Sequence, residues 1–560
     1  MRVPEPNVEA AQVPLGSPPY QPWDGNLADL LRRHAEERGQ QAYLISYGDD
    51  GVRREYSYAV FAKRVQVVAA YLWHQGVRRG DRVGTILHNH HEAAFLMFAT
   101  WRLGAALVPV NVEKAPARKR FILANAGVCV LFALPEHVDD VRAHRADLPE
   151  LREIVVVEDA GLPALPDAEL DLPGAEIDDE ALIVYTSGTT GNPKGVVLNQ
   201  YNLMADADAI SRWFAIAPGE RWMYVLPLHH VNGIVVTLLS PLYAGGGVVL
   251  HRRFSPRTFW RRATAEQVAV CSLVPTLLEF LVEAADETGG PPPSMRGVIC
   301  GAGPLAVETV LRFEDRFKIP VWHGYGLSET TAYACMTPAE LPESERRRWY
   351  REPGFPTIGA AMPHQNLSIR DQDGIDLPPG VRGEICVRGS TIMQGYYQRP
   401  DATDDAFRHD GWFRTDDEGF WLVGPGGTPF FFITGRLKEL IIRGGVNLSP
   451  LEIDAVLVSH PAVRFGMCLP FENRWYGEEV AAYAVLRGGV TASDVLAQSI
   501  REHCASRLSF AMQPKVVLFG TEVPYTSTGK PKRLALGAML ADRLREYHDV
   551  QFREVRRHGG

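Results

Sequence analysis

Residues 183–195 read Ile-Val-Tyr-Thr-Ser-Gly-Thr-Thr-Gly-Asn-Pro-Lys-Gly, an apolar run that passes into hydroxyls, glycines and one lysine. Glycines such as Gly188 let backbone N–H groups approach phosphate oxygens. The hydroxyls of Thr186, Ser187, Thr189 and Thr190 add donors, and Lys194 neutralises charge. The spacing cannot be fitted to GxxxxGK[ST], so this is not a Walker A loop. A plain flexible turn accounts for the glycines but not for four hydroxyls beside a lysine. The loop reads as a phosphate cradle.

Other chemistry-bearing clusters follow in order along the chain: Leu226–Gly233 with a His229-His230 pair, Gly301–Leu305, His323–Thr330, Gly411–Asp417, Gly435–Glu439 and Ser527–Lys530. Residue type leaves each with two readings. Glu329 is a hard oxygen contact for Mg²⁺ or a surface carboxylate in a polar loop. Tyr325 offers a flat face to a purine ring or simply packs. Lys530, beside a glycine, reads first as a solvated surface charge. The histidine pair suggests a metal, but no third ligand stands at useful spacing. Arg443, ahead of Gly444 and Gly445, is a phosphate contact or a solvated arginine.

Together, over residues 183–533, these segments resemble the adenylate-forming superfamily of acyl-CoA synthetases, firefly luciferase and peptide-synthetase adenylation domains, most of all the fatty-acid or aryl-acid CoA ligases. The resemblance implies an enzyme that joins a carboxylic acid to AMP from ATP, with Mg²⁺, releasing pyrophosphate. Coenzyme A then takes the acyl group; a carrier-protein thiol or another nucleophile is the alternative, and a nucleotide-binding pseudoenzyme is a reading from another class. By resemblance Gly301, Ala302 and Gly303 form the adenine-side turn. Gly324, Tyr325, Gly326, Ser328 and Glu329 form the central nucleotide motif, with Glu329 at the metal. Asp417 and Arg436 hold the ribose. The family commonly has glycine where Asp416 stands, so Asp417 is assigned by register. Lys530, Glu329 and Lys194 carry catalysis, and Lys438 is the hinge. Arg443, Gly444 and Gly445 meet coenzyme A, and His230, Val231, Gly301 and Tyr325 line the acid site. The apolar run that follows Gly233 suits an acyl or aryl tail.

Short β-branched runs alternating with amphipathic segments must position these groups, which predicts an α/β fold of mostly parallel sheets covered by helices. Strands are expected at 83–87, 154–157, 182–185, 223–226, 248–250, 298–300 and 321–322, and helices at 27–38, 59–74 and 304–317. From about residue 383 strands crowd together, which predicts a smaller antiparallel, barrel-like section. The resemblance divides the chain into an N-terminal adenylation domain (1–436) and a smaller, mobile α+β cap (437–560) that carries Lys530.

At 560 residues, with 46% apolar and 22% charged residues, the chain has ample material for a large core and no disordered or fibrous bias. The net charge of −9 comes from one acidic stretch, residues 158–180, which reads as an exposed connector. Without it acids and bases balance, so no basic field points to nucleic acid. Seven scattered cysteines with no CxxC pair fit reduced thiols and a cytoplasmic setting. Residues 1–24 hold six prolines and no apolar core, unlike a signal peptide. The uncharged stretch 231–250 has the length of a membrane span. Pro241 and Gly245-Gly246-Gly247 interrupt it, which predicts a buried helix, a turn and a buried strand instead.

Overall fold

The computed structural model describes residues 18–22, 25–158, 162, 172–186, 192–525 and 531–552. Two large sheets dominate the first 400 residues. One has nine strands. Its six inner strands run parallel in the order Val321–Tyr325, Gly297–Cys300, Val268–Leu273, Arg221–Tyr224, Gly247–His251 and Ala42–Tyr47, with short antiparallel strands at both edges. The inner strands are buried on both faces, as their continuous Val/Ile/Leu character requires. The helix His91–Arg102 is buried on nearly every side, which suits a helix with apolar residues all round. The expected helix at 27–38 has those bounds, and that at 304–317 starts three residues later, at Val307. The stretch 231–250 is a buried π-helical segment Asn232–Leu239, a turn and the strand Gly247–His251. Among the described residues no helix is long and apolar enough to cross a membrane.

The seven-stranded sheet is parallel except at one side. Glu180–Thr186 and Lys194–Asn199 form an antiparallel hairpin in which Thr186 lies opposite Lys194. Lys194 is thereby returned to the level of Thr186. A four-stranded antiparallel sheet follows, in the order Gln365–Arg370, Gly383–Gly389, Phe413–Val423 and Pro429–Arg436. This is the crowded section foreseen from residue 383.

After Arg436 a short 3₁₀ turn leads at Ile441 into a separate sheet. Its central pair, Val463–Asn473 and Gly477–Leu486, alternates in the way a two-sided sheet must. Cys468, Val480 and Ala482 belong to one apolar cluster, together with Ile453, Leu457, Ile500 and Cys504 of two helices. Met467, Leu469, Ala481 and Tyr483 join Leu536 and Leu540 of the helix Arg533–Leu544 in the other.

Candidate active site

A cavity of about 450 Å³ opens at the carboxyl ends of the parallel strands, where open α/β sheets bind ligands. Of the residues expected in the site, His230, Val231, Ala302, Gly303, Gly324, Tyr325, Gly326, Ser328, Asp417 and Arg436 line it together. Of the first eight, Gly324 and Tyr325 end a strand of the nine-stranded sheet and the other six follow its strands. Asp417 and Arg436 sit opposite each other in the antiparallel sheet. Gly326 is obligatory there, because a Cβ would lie 1.8 Å from the Ala332 carbonyl oxygen.

The Tyr325 hydroxyl donates to Asp417 Oδ2 at 2.7 Å, and Arg436 Nε stands 3.5 Å from Asp417 Oδ1. Burial, with the Asp417 charge beside it, pushes the tyrosine pKa well up, so the phenol stays a donor. Asp416 points elsewhere, to Lys438 Nζ at 2.7 Å, in an exposed pair. Its φ of +60° explains why glycine suits that position, aspartate being among the few side chains that tolerate it. Between the two neighbouring carboxylates, the one facing the cavity is Asp417.

Glu329 follows the lining residue Ser328 but is not itself in the lining, and its Oε1 accepts from the Tyr396 hydroxyl at 2.9 Å. Burial raises its pKa, while Tyr396, Arg436 and Lys194 oppose that shift. Tyr396 is held by pairing of Gly395–Tyr396 with the strand Lys194–Asn199. That register sets Lys194 Nζ 4.3 Å from the centre of the Tyr396 ring. Glu329, Tyr396 and Lys194 thus form one unit that sequence reasoning saw only in part. Tyr396 belongs to no motif, and its place depends on a strand pairing 200 residues apart.

The donor set at Glu329 fits Mg²⁺. A carboxylate oxygen not used by Tyr396 is a hard ligand, and a magnesium ion bound with ATP takes most of its other ligands from phosphates and water. Among the described residues no cluster of three or more His, Cys, Asp or Glu side chains forms a cage of its own.

Among the described residues no third His, Cys, Asp or Glu side chain joins His229 and His230. Burial, with Lys114 nearby, pulls the His230 pKa down to about 4, and that of His229 falls to about 2, so both rings are neutral at pH 7. Asn89 holds their loop. Its amide donates to the Leu226 and His251 carbonyls, and its Oδ1 accepts from Leu228 N–H at 2.9 Å. Asn89 carries no motif signature and was not expected.

Ser187, Gly188, Thr189, Thr190 and Lys530 lie outside the described residues, whereas Thr186 and Lys194 flank the glycine-rich loop. On either side of residues 526–530, Tyr525 and Pro531 form a β-bridge, and Arg533 binds Asp454 at 2.5 Å. Tyr525, Pro531 and Arg533 line the same cavity as Tyr325 and Asp417.

Arg443, Gly444 and Gly445 do not line this cavity. The Arg443 guanidinium binds Glu479 at 2.8 Å and stacks 3.9 Å from the Tyr476 ring, so in this arrangement it is committed within its own unit. The glycine pair is the two-residue turn between Ile441–Arg443 and Val446–Leu448, with φ of +58° and +83°. Positive φ at both positions is by itself a reason for two glycines. Lys438 lies in the 3₁₀ turn Leu437–Glu439 and is exposed.

Comparison with known proteins gives concordant results. Residues 31–397 match the family of AMP-binding enzymes, and residues 452–530 match the AMP-binding enzyme C-terminal domain. The sulfoacetate–CoA ligase of Cupriavidus necator is 35% identical over 517 residues, 91% of this chain and 97% of that protein. A long-chain-fatty-acid–CoA ligase of Mycobacterium tuberculosis is 30% identical, covering 90% and 96%. The crystal structure of ATP-bound MatB from Rhodopseudomonas palustris superposes with a TM-score of 0.81 at 26% identity, over 92% of this chain and 99% of that one.

Proposed function

Since the chain belongs to the AMP-binding enzyme family, we propose the following assignment of its reaction to its residues. The protein is an ATP-dependent acid–CoA ligase. It activates a carboxylic acid as an acyl adenylate with release of pyrophosphate, then passes the acyl group to coenzyme A and releases AMP. Two anions, a carboxylate and the ATP α-phosphate, must meet in the first step, so catalysis rests on positioning and on neutralised charge.

The observation that carries the assignment is the convergence of Tyr325, Asp417 and Arg436 with His230 and the base of the 526–530 loop on one cavity. Asp417 accepts from the ribose hydroxyls, with Arg436 and the Tyr325 hydroxyl fixing its carboxylate. Gly301–Gly303 and the Tyr325 ring flank the adenine. The hairpin tip between Thr186 and Lys194 holds the polyphosphate. Glu329 holds Mg²⁺, which when bound neutralises phosphate charge. Neutral His230 faces the acid without presenting it with a like or opposing charge. Lys530 bridges the carboxylate and α-phosphate.

The unit after Arg436 acts as the mobile cap, turning about Lys438 to bring Gly444-Gly445 toward the adenylate for thioester formation. Seven cysteines, all buried and unpaired, support a cytoplasmic setting. Pyrophosphate exchange across a panel of acids, followed by mass-spectrometric detection of thioester with and without coenzyme A, tests the reading. Acid-dependent exchange and a CoA thioester are expected. Exchange that yields thioester only with a carrier protein would overturn the acceptor assignment.

A further inference from the structure

The far end of the acid site is built differently from its walls. Leu226, Val231 and Val274 give an apolar lining, but Asn232 and Tyr333 also face the cavity. The Asn232 amide donates to the Tyr333 hydroxyl at 2.8 Å, and the Ser272 hydroxyl donates to Asn232 Oδ1 at 2.9 Å. These three side chains carry four polar hydrogens, two on the amide and one on each hydroxyl. Two are used in those bonds, and the Tyr333 hydroxyl also bonds with Ser272, which uses a third. Whichever way the amide is turned, the three side chains leave one amide hydrogen over. A polar group held at such a site is costly unless something accepts from it.

The Tyr333 ring also closes the space beneath two glycines. A Cβ on Gly301 would lie 2.8 Å from the ring, and one on Gly324 would lie 2.7 Å from it. The room those glycines open between adjacent strands is therefore filled by tyrosine and is not left free for an alkyl chain. Tyr333 is 2% exposed and tied by its hydroxyl, so it does not swing aside without breaking that bond.

Resting on the ligase reading above, we infer that Tyr333, Asn232 and Ser272 form a hydrogen-bonding floor that selects short acids whose remote end is a hydrogen-bond acceptor. Alkyl acids of equal length leave that amide donor unpaired, and long alkyl acids meet the tyrosine ring. Neutral acceptors (keto or ether oxygen) and anionic ones (sulfonate) share this chemistry.

The test measures kcat/KM for the acid in pyrophosphate exchange. The probes are methoxyacetate, 4-oxopentanoate and 3-sulfopropanoate against butanoate, pentanoate and octanoate. The wild type should favour at least one acceptor acid over its alkyl counterpart by at least about tenfold, since a site built to hydrogen-bond rejects analogues that cannot. The probe that wins tells a neutral acceptor from an anionic one. Tyr333→Phe, which keeps the ring, should raise KM for the favoured acid and narrow its advantage to about threefold, with KM for ATP unchanged. Tyr333→Ala should move the optimum toward octanoate. AMP-induced thermal stabilisation of each variant reports that the nucleotide site is folded. A wild type that prefers octanoate, or a Tyr333→Phe variant with the selectivity of the wild type, would overturn the floor while leaving the ligase reading intact. Absence of exchange with every acid would instead overturn the ligase reading itself.

Discussion

Replacing Asp417 with asparagine isolates the charge that the nucleotide end of the cavity contributes. The carboxylate is 3% exposed, accepts from Tyr325 at 2.7 Å and has Arg436 at 3.5 Å. Asparagine keeps the shape and an acceptor oxygen but removes the charge. A hydrogen bond to a charged group contributes about 1.5–3 kcal/mol, against about 0.5–1.5 kcal/mol for a neutral one. Two ribose hydroxyls donating to the same carboxylate would lose about 1 kcal/mol each, together about 2 kcal/mol, or roughly 30-fold in kcat/KM for ATP. Asp416→Asn is the control. Its partner Lys438 is 62% exposed, and such pairs contribute at most about 1 kcal/mol. The assay is pyrophosphate exchange at varied nucleotide, run with ATP and with 2′,3′-dideoxy-ATP. Asp417→Asn should lose its 30-fold with ATP and very little with the dideoxy nucleotide, where there is no hydroxyl left to recognise. A larger loss from Asp416→Asn, or a penalty from Asp417→Asn that persists undiminished on dideoxy-ATP, would refute the assignment.

Glu329→Gln should raise the Mg²⁺ concentration for half-maximal exchange at least tenfold without lowering thermal stability; wild-type metal dependence in the variant would remove Glu329 from the metal. Lys530→Ala should lose several orders of magnitude in pyrophosphate exchange yet still convert supplied acyl adenylate and coenzyme A to thioester. Equal loss in the two steps would contradict a role confined to bringing carboxylate and phosphate together. Lys438→Pro, which fixes φ at the junction, should slow thioester formation more than adenylation, as single-turnover measurements of each step will show. Finally, burial pulls the pKa of His34 and His323 down to about 4, and of His91 and His251 to about 3. The folded state then refuses protons that the unfolded chain takes up near pH 6.5. Stability should fall as pH drops from about 6.5 toward 4, each histidine adding up to about 1.4 kcal/mol per pH unit. A denaturation midpoint flat from pH 7 to 5 would contradict this.

What the sequence made legible followed from local chemistry. The run 231–250 reads as helix, turn and strand because Gly245 needs a φ of +75° and a Cβ on Gly246 would strike the Glu220 carbonyl, demands that only glycine meets. The motif residues from His323 to Gly326 were visible because a strand must end there in a turn too tight for a side chain. The antiparallel hairpin 180–199 was not legible, since buried strands of either orientation look alike in an apolar run. Nor was the Arg443–Glu479 pair, whose partners lie 36 residues apart on different strands. Tyr396, Asn89, Tyr333 and Ser272 were missed for the same reason: tertiary contacts alone give them their places.

The two ends of the cavity differ in legibility because they answer to different ligands. The nucleotide end must neutralise a triphosphate and grip a ribose, so its solution needs lysine, aspartate, arginine and glycine in fixed local turns. Those residue types at those spacings are rare by chance, and they announce themselves. The acid end meets a ligand whose one constant feature is a carboxylate, already handled by the nucleotide machinery. Its remaining choices are made by single side chains on separate elements: Asn232 at the start of the π-helical segment, Ser272 on a sheet strand, and Tyr333 in the chain between Thr330 and Cys335. Each is unremarked in its own segment. Selectivity arises when the sheet sets Tyr333 beneath Gly301 and Gly324 and the amide of Asn232 joins it to Ser272. Because these contacts cross elements, one substitution at Tyr333 should redirect the acid preference without disturbing the ATP chemistry. A specificity site that shares a cavity with the nucleotide machinery requires that separation.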